Sequence, residues 1–343
     1  MATFPSFGIN GMSQGVVDNQ SLLLEDIRNG LVVYNSGVDP FISMLTQPTI
    51  RQTLRVSQAP KMFGLTGEGH NPIDQRSLFR ELNVPLLDYD LSTEWTVQAL
   101  QDMLVSDLAT EVEAIYLGDI ELQNALFFAT LFTKRTVGAI GVAYQAGFYN
   151  GETDIPSYKN NTFAGTAHYH YLGANETTLS LTTLRLMQKD VREHGYGREP
   201  GSTYLLCHTA QSPDIMAMVN TNSANTILQA ITSMRERGID QGIYNTGISI
   251  EGTMVCFTDD VPSGYVALVT TTVKPVAERM HVQASARGLQ MFHSSFNELY
   301  PLSGMKFLRR TGFAVQHLGS CTVRQLVAST SYTNPTFRTG GII

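Results

Sequence analysis

The sequence predicts an α+β fold with two packed domains. Several stretches place apolar residues three and four positions apart, as amphipathic helices do, and others alternate apolar with polar residues, as strands do. Strand-like stretches occur both early and late in the chain, which implies pairing between distant segments. The chain has 343 residues, about twice the length of a usual single domain, and we find no internal repeat in it.

Residues 1–48 are expected to form an extended arm and one short helix. Residues 1–20 are rich in Gly, Ser, Asn and Gln, which favours an extended arm. Ser21 is placed to cap the helix that follows, and Gly37 is placed to end it. Between them, leucine and isoleucine residues recur at helical spacing.

Residues 49–92 are expected to form a long two-stranded β-hairpin. The stretches TLRVSQ and LNVPLLDYDL alternate, and the segment KMFGLTGEGHNPIDQRSLFREL at 61–82 begins with three glycines in six residues, at 64–69. That segment has too few apolar residues to bury a core. Because an isolated ribbon is marginal in water, this one needs a surface to lie against.

Residues 93–219 combine two amphipathic helices with a buried strand. The longest helical region runs from 93 to 135, where apolar residues recur at spacings of three, four or seven. The stretch ETTLSLTTLRLMQKDVREHG predicts a second helix that ends at Gly195. The next stretch, TYLLCHTAQSPDIMAMV, predicts an apolar strand that turns into a short helix.

Residues 220–343 are expected to be mostly strands. A helix is predicted over 223–237, from SANTILQAITSMRER. The stretch GISIEGTMVCFTDDVPSGYVALVTT predicts two strands joined by a turn at 259–264. In the last part, alternation at 313–317 and again at 323–327 predicts further strands.

Composition excludes several classes of protein. Charged residues make up only 15% of the chain, which suggests that much of the surface is shared with neighbours. The net charge of −7 argues against a domain that binds nucleic acid by neutralising phosphates. The three cysteines form no CxxC pair and favour a reducing compartment over a disulfide framework. Without a signal peptide or an 18-residue apolar run, we expect synthesis in a cytoplasm and no membrane partner.

One pair of residues suggests metal chemistry. His168 and His170 are two apart, so on a strand both imidazoles would face the same side. A third ligand would be needed, and His208 or a carboxylate could supply it. The alternative interpretation, which we favour, is a surface or interface strand rich in Tyr and His. No phosphate-binding loop and no motif of a catalytic nucleophile is present.

Other polar residues have structural interpretations. The acidic pairs at 88/90 and 259/260 are expected at solvated strand and turn positions. Arg309 and Arg310 could clamp an anion or form interface ion pairs, but neighbouring residues of a strand face opposite sides, so only one could face a given ligand. Trp95, at a junction between ribbon and helix, is expected to anchor packing.

The order of elements resembles that of the major capsid proteins of tailed bacteriophages (Caudoviricetes), which have the Hong Kong 97-like fold. The local support comes from GTMVCFTDDVPSGYVALV, which is similar to a late strand pair of that family, and from SSFNELYPLSGMKFLRRTGFAVQHLGSCTVRQLV, which is similar to its C-terminal passage. The strand-then-helix step in TYLLCHTAQSPDIMAMV is also similar.

The resemblance implies a division of the chain. Residues 1–48 would be the N-terminal arm and short helix, and 49–92 the extended loop that reaches over an adjacent subunit. Residues 93–219 would begin the peripheral domain, with a spine helix at about 106–135. Residues 220–270 would form the axial domain, and 271–343 would return to the peripheral domain. The residues expected at contacts between subunits are Arg55, Lys61, Phe63, Arg76, Phe79, Arg80, Trp95, Arg309 and Arg310.

The resemblance also implies a function. The chain would assemble as pentamers and hexamers into an icosahedral head that encloses double-stranded DNA without binding a specific sequence. It would have no catalytic site, metal or cofactor, and it would be found in the virion after assembly in the bacterial cytoplasm. Only about fifty residues precede the ribbon, so a separate scaffolding protein is expected, together with a portal protein and room for a decoration protein. Lys61 lies in the ribbon, but no acceptor for a cross-link is identifiable.

Two other functions stay open at this point. A bacterial encapsulin shell has the same fold and encloses cargo enzymes. A metal-dependent enzyme would use His168 and His170.

Overall fold

The computed structural model describes residues 15–37, 39–57, 79–135, 147–152, 155, 158–159, 163, 167–221, 243–294 and 304–337. The predicted arm at 1–14 and the predicted helix at 223–237 lie outside these residues. Within them the fold is the predicted mixture of helices and strands. No helix in the described part of the chain is both long enough and apolar enough to span a membrane.

Six α-helices are described. They are α1 (Gln20–Ser36), α2 (Pro40–Leu45), α3 (Val97–Asp102), α4 (Val105–Phe132), α5 (Leu181–Glu193) and α6 (Ser212–Thr221).

Fifteen β-strands are described. The first seven are β1 (Thr46–Thr49), β2 (Thr53–Ser57), β3 (Phe79–Asn83), β4 (Leu87–Glu94), β5 (Asn150–Glu152), β6 (His168–Tyr169) and β7 (Tyr171–Gly173). The other eight are β8 (Thr203–Cys207), β9 (Ile243–Ile250), β10 (Thr253–Thr258), β11 (Tyr265–Thr270), β12 (Val276–Arg279), β13 (Leu289–Ser294), β14 (Gly304–Val315) and β15 (Cys321–Gln325).

Helix α1 confirms the predicted short helix but not its cap. Its buried leucines and isoleucine recur at spacings of three and four along one side. Asn19, and not Ser21, occupies the N-cap position, and its side chain makes no capping hydrogen bond. Ser21 lies inside the first turn because a short 3₁₀ helix, Val17–Asn19, precedes α1 directly.

Helix α4 is the long helix that the sequence predicted, and it joins two hydrophobic cores. It has 28 residues, so it is about 42 Å long. In its first half, Leu108, Val112 and Ile115 pack with buried residues of α1. Every residue from 126 to 132 is buried, and the leucines and phenylalanines there join the core under the larger sheet. One helix thus supports both halves of the subunit.

A five-stranded sheet is built around β14. Strands β4 and β13 both pair antiparallel with residues 304–309 of β14, so they lie on opposite edges of it. Strand β12 pairs antiparallel with residues 312–315, and β1 continues the sheet parallel to β12. This arrangement confirms the expected pairing between early and late segments.

A six-stranded sheet has the order β7-β15-β11-β8-β10-β9. Its central strands are buried on both faces. One face of the sheet packs against the core formed with α5 and α6 and carries Leu205, Val266 and Leu268. The other face packs against the core formed with α4 and carries the neighbouring residues Leu206 and Ala267. The predicted boundary at 219/220 passes through this sheet, since β8 lies between β10 and β11.

The predicted turn is confirmed, and the structure adds two details of this sheet that were not predicted. The turn at 259–264 does join two strands, β10 and β11, but they are not neighbours, because β8 runs between them. The stretch before β10 is a third strand, β9, which pairs antiparallel with β10 across a tight turn. Glu251 and Gly252 form that turn with positive φ angles of 49° and 80°, a conformation that favours glycine.

The hairpin forms as predicted, but its second strand is shorter than the sequence analysis expected. Strand β2 pairs antiparallel with β3, with Thr53 opposite Asn83 and Ser57 opposite Phe79. The stretch LDYDL, expected in the same hairpin, instead forms β4 and pairs with β14. The predicted tip of the hairpin, 58–78, lies outside the described residues.

Two chain crossings join the sheets side by side. Residues 271–275 lead from β11 to β12, and residues 316–320 lead from β14 to β15. The backbone N–H groups of Gln316 and His317 both donate to the carbonyl of Pro275, at 2.7 and 3.3 Å. At the other end, the N–H of Thr270 donates to the carbonyl of Ser320 at 3.1 Å. The two crossings are therefore bonded to each other.

Candidate functional site

The base of the β2–β3 ribbon is anchored to the body of the subunit. The two strands form a separate sheet that joins no other described strand. Leu82 is fully buried among residues that include Tyr149, Phe163 and Leu318. Leu54 packs against a small cluster around Val84. The anchored base gives the rest of the ribbon a fixed starting point.

The ribbon carries most of the residues expected at contacts between subunits. The backbone of Arg55, Phe79 and Arg80 lies in β2 and β3. Lys61, Phe63 and Arg76 lie outside the described residues. The role of these six residues therefore stays a prediction.

Arg309 lies in the interior, whereas the sequence analysis expected it at a contact between subunits. Its side chain is only 11% exposed and forms a two-pronged ion pair with Asp119 of α4, in which Nε donates to Oδ1 at 2.8 Å. The hydroxyl of Tyr34 donates to the same carboxylate at 2.6 Å. Burial alone would lower the pKa of Arg309, but the hydrogen bond and charge of Asp119 raise it. This pair fastens β14 to α4 and α1.

Arg310 and Trp95 have separate surroundings. Arg310 faces the opposite side of β14 and lies 3.2 Å from the Asp88 carboxylate in an ion pair. The two arginines thus face opposite sides, as the strand periodicity predicted. The indole Nε1 of Trp95 donates to Glu111 of α4 at 3.1 Å, and its ring packs against the core that α1 and α4 share. That position fits the predicted packing anchor.

Strand β4 exposes apolar side chains. Leu91 is 50% exposed, whereas Phe307, directly opposite it on β14, is buried. The core therefore covers β14 but leaves β4 open on the same face. Leu87, at the start of β4, is also about half-exposed. Large apolar side chains that are exposed elsewhere in the described chain are Leu22, Val32, Val33, Ile50, Val97, Leu104, Leu117, Tyr169, Leu186, Met216, Val282 and Phe292.

Three histidines meet at one point. His168 lies on β6, His170 lies at the bend between β6 and β7, and His194 caps the C-terminal end of α5. Their Nε2 atoms are 3.1 Å (168 to 170), 3.1 Å (170 to 194) and 3.0 Å (168 to 194) apart. The ring centroids are 5.0 Å apart in all three pairs. We call this group the histidine cluster.

The cluster is enclosed by aromatic rings. Phe163 stacks on His194 at 4.7 Å between ring centroids, and Tyr149 lies 4.8 Å from the same imidazole. His170 is fully buried. Burial is the main cause that lowers the pKa of all three histidines, to about 3 for His194, so their neutral forms are favoured.

The structure confirms that His168 and His170 come together but changes the third partner. His208, the expected candidate, lies instead beside Asp259, with its Nε2 3.6 Å from the carboxylate. His194 takes that place, although it is 24 residues from His170 and its sequence context marks only the end of a helix. No spacing rule could have found it.

Comparison with known proteins gives a likeness of fold. Neither a protein-family model nor a curated protein matches this chain. A chain from the structure of Mycobacterium phage Patience is 22% identical, with a TM-score of 0.67, over 97% of this chain and 93% of that one. A chain from the capsid of an empty GTA particle is 11% identical, with a TM-score of 0.50, over 85% and 92% of the two chains. The chain has the Hong Kong 97-like capsid fold.

A chain of the holo-SrpI encapsulin complex from Synechococcus elongatus PCC 7942 is 14% identical, with a TM-score of 0.49, over 88% of this chain and 92% of that one.

Proposed function

We propose that this chain is the major capsid subunit of a tailed bacteriophage and that it assembles as pentamers and hexamers into an icosahedral head around double-stranded DNA. The observation that carries the proposal is the match of fold, over nearly the whole chain, to a chain from a phage and to a chain from a particle capsid.

The surface of the subunit supports the proposal. The chain is only 15% charged, and β4 presents half-exposed leucines at the edge of a sheet. Unpaired strand edges and exposed apolar side chains are costly in a free monomer and are stabilised when a neighbour covers them. A shell built from heterologous contacts supplies such a neighbour to every copy.

The ribbon supports the proposal in a second way. It is anchored at Leu82 and Leu54 and pairs with no other described strand. We propose that residues beyond this base lie over an adjacent subunit, with Lys61, Phe63 and Arg76 among the contacts. Together with 93–219 and 271–343 as peripheral domain and 220–270 as axial domain, this is the arrangement that the fold family implies.

The net charge of −7 is compatible with enclosing DNA without adhering to it, since a strongly basic wall would bind phosphates tightly. We propose a separate scaffolding protein and a portal protein as assembly partners, with space for a decoration protein. The virion would be the final location, after assembly in the host cytoplasm.

The proposal is tested by expressing the chain in bacteria with and without a candidate scaffolding protein from the same genome. Negative-stain microscopy and sedimentation should show shells or tubes. A variant in which residues 61–75 are replaced by a Gly-Ser linker should remain folded but stop at monomers or single capsomers. A small, soluble dimer with enzymatic turnover from the unaltered chain would overturn the proposal.

Two observations distinguish a phage head from an encapsulin shell. Portal and terminase genes next to the gene for this chain would indicate a phage. A neighbouring gene for a peroxidase or a ferritin-like protein, with that protein found inside the purified shells, would contradict the phage assignment.

A further inference from the structure

We propose that His168, His170 and His194 bind one Zn²⁺ ion per subunit and that this ion fastens the end of α5 to the β6–β7 segment. The three residues come from two separate segments of the chain, the β6–β7 segment and the end of α5, and their Nε2 atoms lie within 3.1 Å of one another. Nothing in the proposed shell function requires this convergence.

Protons cannot satisfy the three contacts. Nδ1 of His170 lies 2.5 Å from the carbonyl oxygen of Cys321. A carbonyl only accepts, so Nδ1 carries the proton and Nε2 of neutral His170 is a bare lone pair. A neutral imidazole has one N–H, so each of the other two Nε2 atoms can donate to one partner at most.

In every arrangement of these protons, at least one of the three contacts is repulsive. If His168 and His194 both donate to His170, their own contact at 3.0 Å brings two N–H groups together. If either keeps its Nε2 unprotonated, two lone pairs face each other at 3.1 Å. A cation at the centre resolves all three contacts, because each nitrogen then directs its lone pair at the ion.

The distances suit a small transition-metal ion. With Zn–N bonds of about 2.0–2.1 Å, tetrahedral ligand nitrogens are about 3.3–3.4 Å apart, and nitrogens at right angles around an ion are about 2.9 Å apart. The observed 3.0–3.1 Å lies between these two geometries. Zinc binds neutral imidazole readily, whereas Mg²⁺ and Ca²⁺ prefer oxygen ligands.

The surroundings hold the ligands in place. The bond from His170 to the Cys321 carbonyl is the kind of outer contact that fixes the tautomer of a metal-binding histidine. Gly319 lies against His194 so closely that a Cβ atom there would meet the imidazole Cγ at 2.7 Å. Phe163 and Tyr149 cover the rings. With three protein ligands, a tetrahedral ion keeps one position for water, and the covering rings favour a structural ion over a catalytic one.

The test uses the untagged full chain as an unassembled subunit, so its outcome does not depend on shell formation. After treatment with a chelator, the protein is titrated with Zn²⁺ against a chromophoric competitor and with Co²⁺ by visible absorption. The wild-type chain should bind roughly one ion, with a Co²⁺ spectrum of low-symmetry nitrogen coordination. His194→Ala and His168→Gln should each weaken zinc binding by at least about 100-fold.

Two further variants serve as controls. His208→Asn removes a histidine that lies outside the cluster but keeps an acceptor for the Ala210 N–H, so its zinc affinity should equal that of the wild type. His194→Cys keeps a zinc ligand at the same place and should retain binding. Circular dichroism reports whether each variant is folded.

The proposal is overturned if the folded wild-type chain binds no Zn²⁺, or if His194→Ala and His168→Gln bind it as tightly as the wild type. Zinc-dependent hydrolysis by the wild-type chain would contradict the structural role assigned to the ion. An increase in melting temperature with zinc, present in the wild type and absent in His194→Ala, would support the fastening role.

Discussion

The two sheets of the subunit differ in how completely their own chain covers them. In the six-stranded sheet, all six residues of β11 are buried, with alternate side chains in two different cores. In the five-stranded sheet, β4 has no buried residue. The first sheet is complete within one chain, whereas the second ends in a strand whose apolar residues remain for another surface to cover.

The two sheets nevertheless share one kind of contact with a helix. Each is tied to a helix by a buried Arg–Asp pair: Arg309 of β14 to Asp119 of α4, and Arg324 of β15 to Asp190 of α5. The stability of a single subunit should therefore depend on both sheets, while assembly should depend mainly on the five-stranded one. The substitutions below separate these two dependences.

The largest loss of stability is expected from Asp119→Ala. It leaves Arg309 charged and nearly buried without its carboxylate, which typically costs about 3–5 kcal/mol of unfolding free energy. Urea unfolding followed by circular dichroism measures this loss. The double variant Asp119→Leu with Arg309→Met removes both charges and should recover most of it; no recovery would show that the charge pair is not the cause.

A loss of about 2–5 kcal/mol is expected from Leu268→Ala in the six-stranded sheet, because it opens a cavity at a fully buried position. Thermal and urea unfolding measure the effect. Any capsomers that form from the folded fraction should have normal shape. A loss below about 1 kcal/mol would mean that the sheet is less tightly packed than described.

A gain in stability is expected from Glu278→Gln in β12. Burial raises the pKa of Glu278, and the positive charge of Arg309 cancels only part of this rise. The Glu278 carboxyl therefore binds a proton more tightly in the folded state than in the unfolded chain. Wild-type stability from this group is therefore greatest at low pH and is lost as the pH rises through the folded pKa. The variant should be more stable than wild type at pH 7, and the gain should disappear below a pH of about 4.3.

The matched control for this pH effect is Glu113→Gln, on the exposed side of α4. Its unfolding free energy should follow that of the wild type at both pH values. Equal behaviour of the two variants would contradict the explanation from burial.

Leu91→Ser tests directly whether β4 is a contact between subunits. Leu91 is half-exposed in the subunit, so we expect its substitution to change the unfolding free energy by no more than about 0.5 kcal/mol. Assembly, measured by sedimentation, should fall clearly because the side chain that a neighbour would cover is gone. Normal assembly would show that β4 is not a contact between subunits.

The smallest effect is expected from Lys306→Ala, which removes an exposed ion pair with Asp90 on the face of the five-stranded sheet opposite to Leu91 and Phe307. Water and salt screen such pairs. The change should be too small to resolve by urea unfolding at physiological salt, and a clear loss of stability would contradict this account.

Local periodicity predicted much of the fold. The helical spacing in α1, α4 and α5 and the apolar run of β8 all report which side of an element is buried, and burial dominates their stability. The N-cap of α5 is also a local interaction, since Ser180 accepts a hydrogen bond from the Thr183 N–H. Such signals are contained within a few turns of chain.

The neighbours of each strand were beyond the reach of such signals. The sequence placed β10 and β11 on either side of a turn, but nothing in their apolar runs indicated that β8 lies between them. Likewise, LDYDL has the alternation of a hairpin strand but pairs with β14, because a strand edge accepts any partner of suitable register. His194 was missed for the same reason: its meeting with His168 is a consequence of how α5 docks.

The paired crossings between the sheets have a mechanical consequence. Because residues 271–275 and 316–320 are hydrogen-bonded to each other, they behave as a double strap and not as two independent threads. A shell that places identical chains at both five-fold and six-fold corners needs each chain to accept two slightly different tilts. If the chain builds the proposed shell, we expect the tilt to be taken up by turning one sheet as a unit against the other, with the strand register of each sheet unchanged.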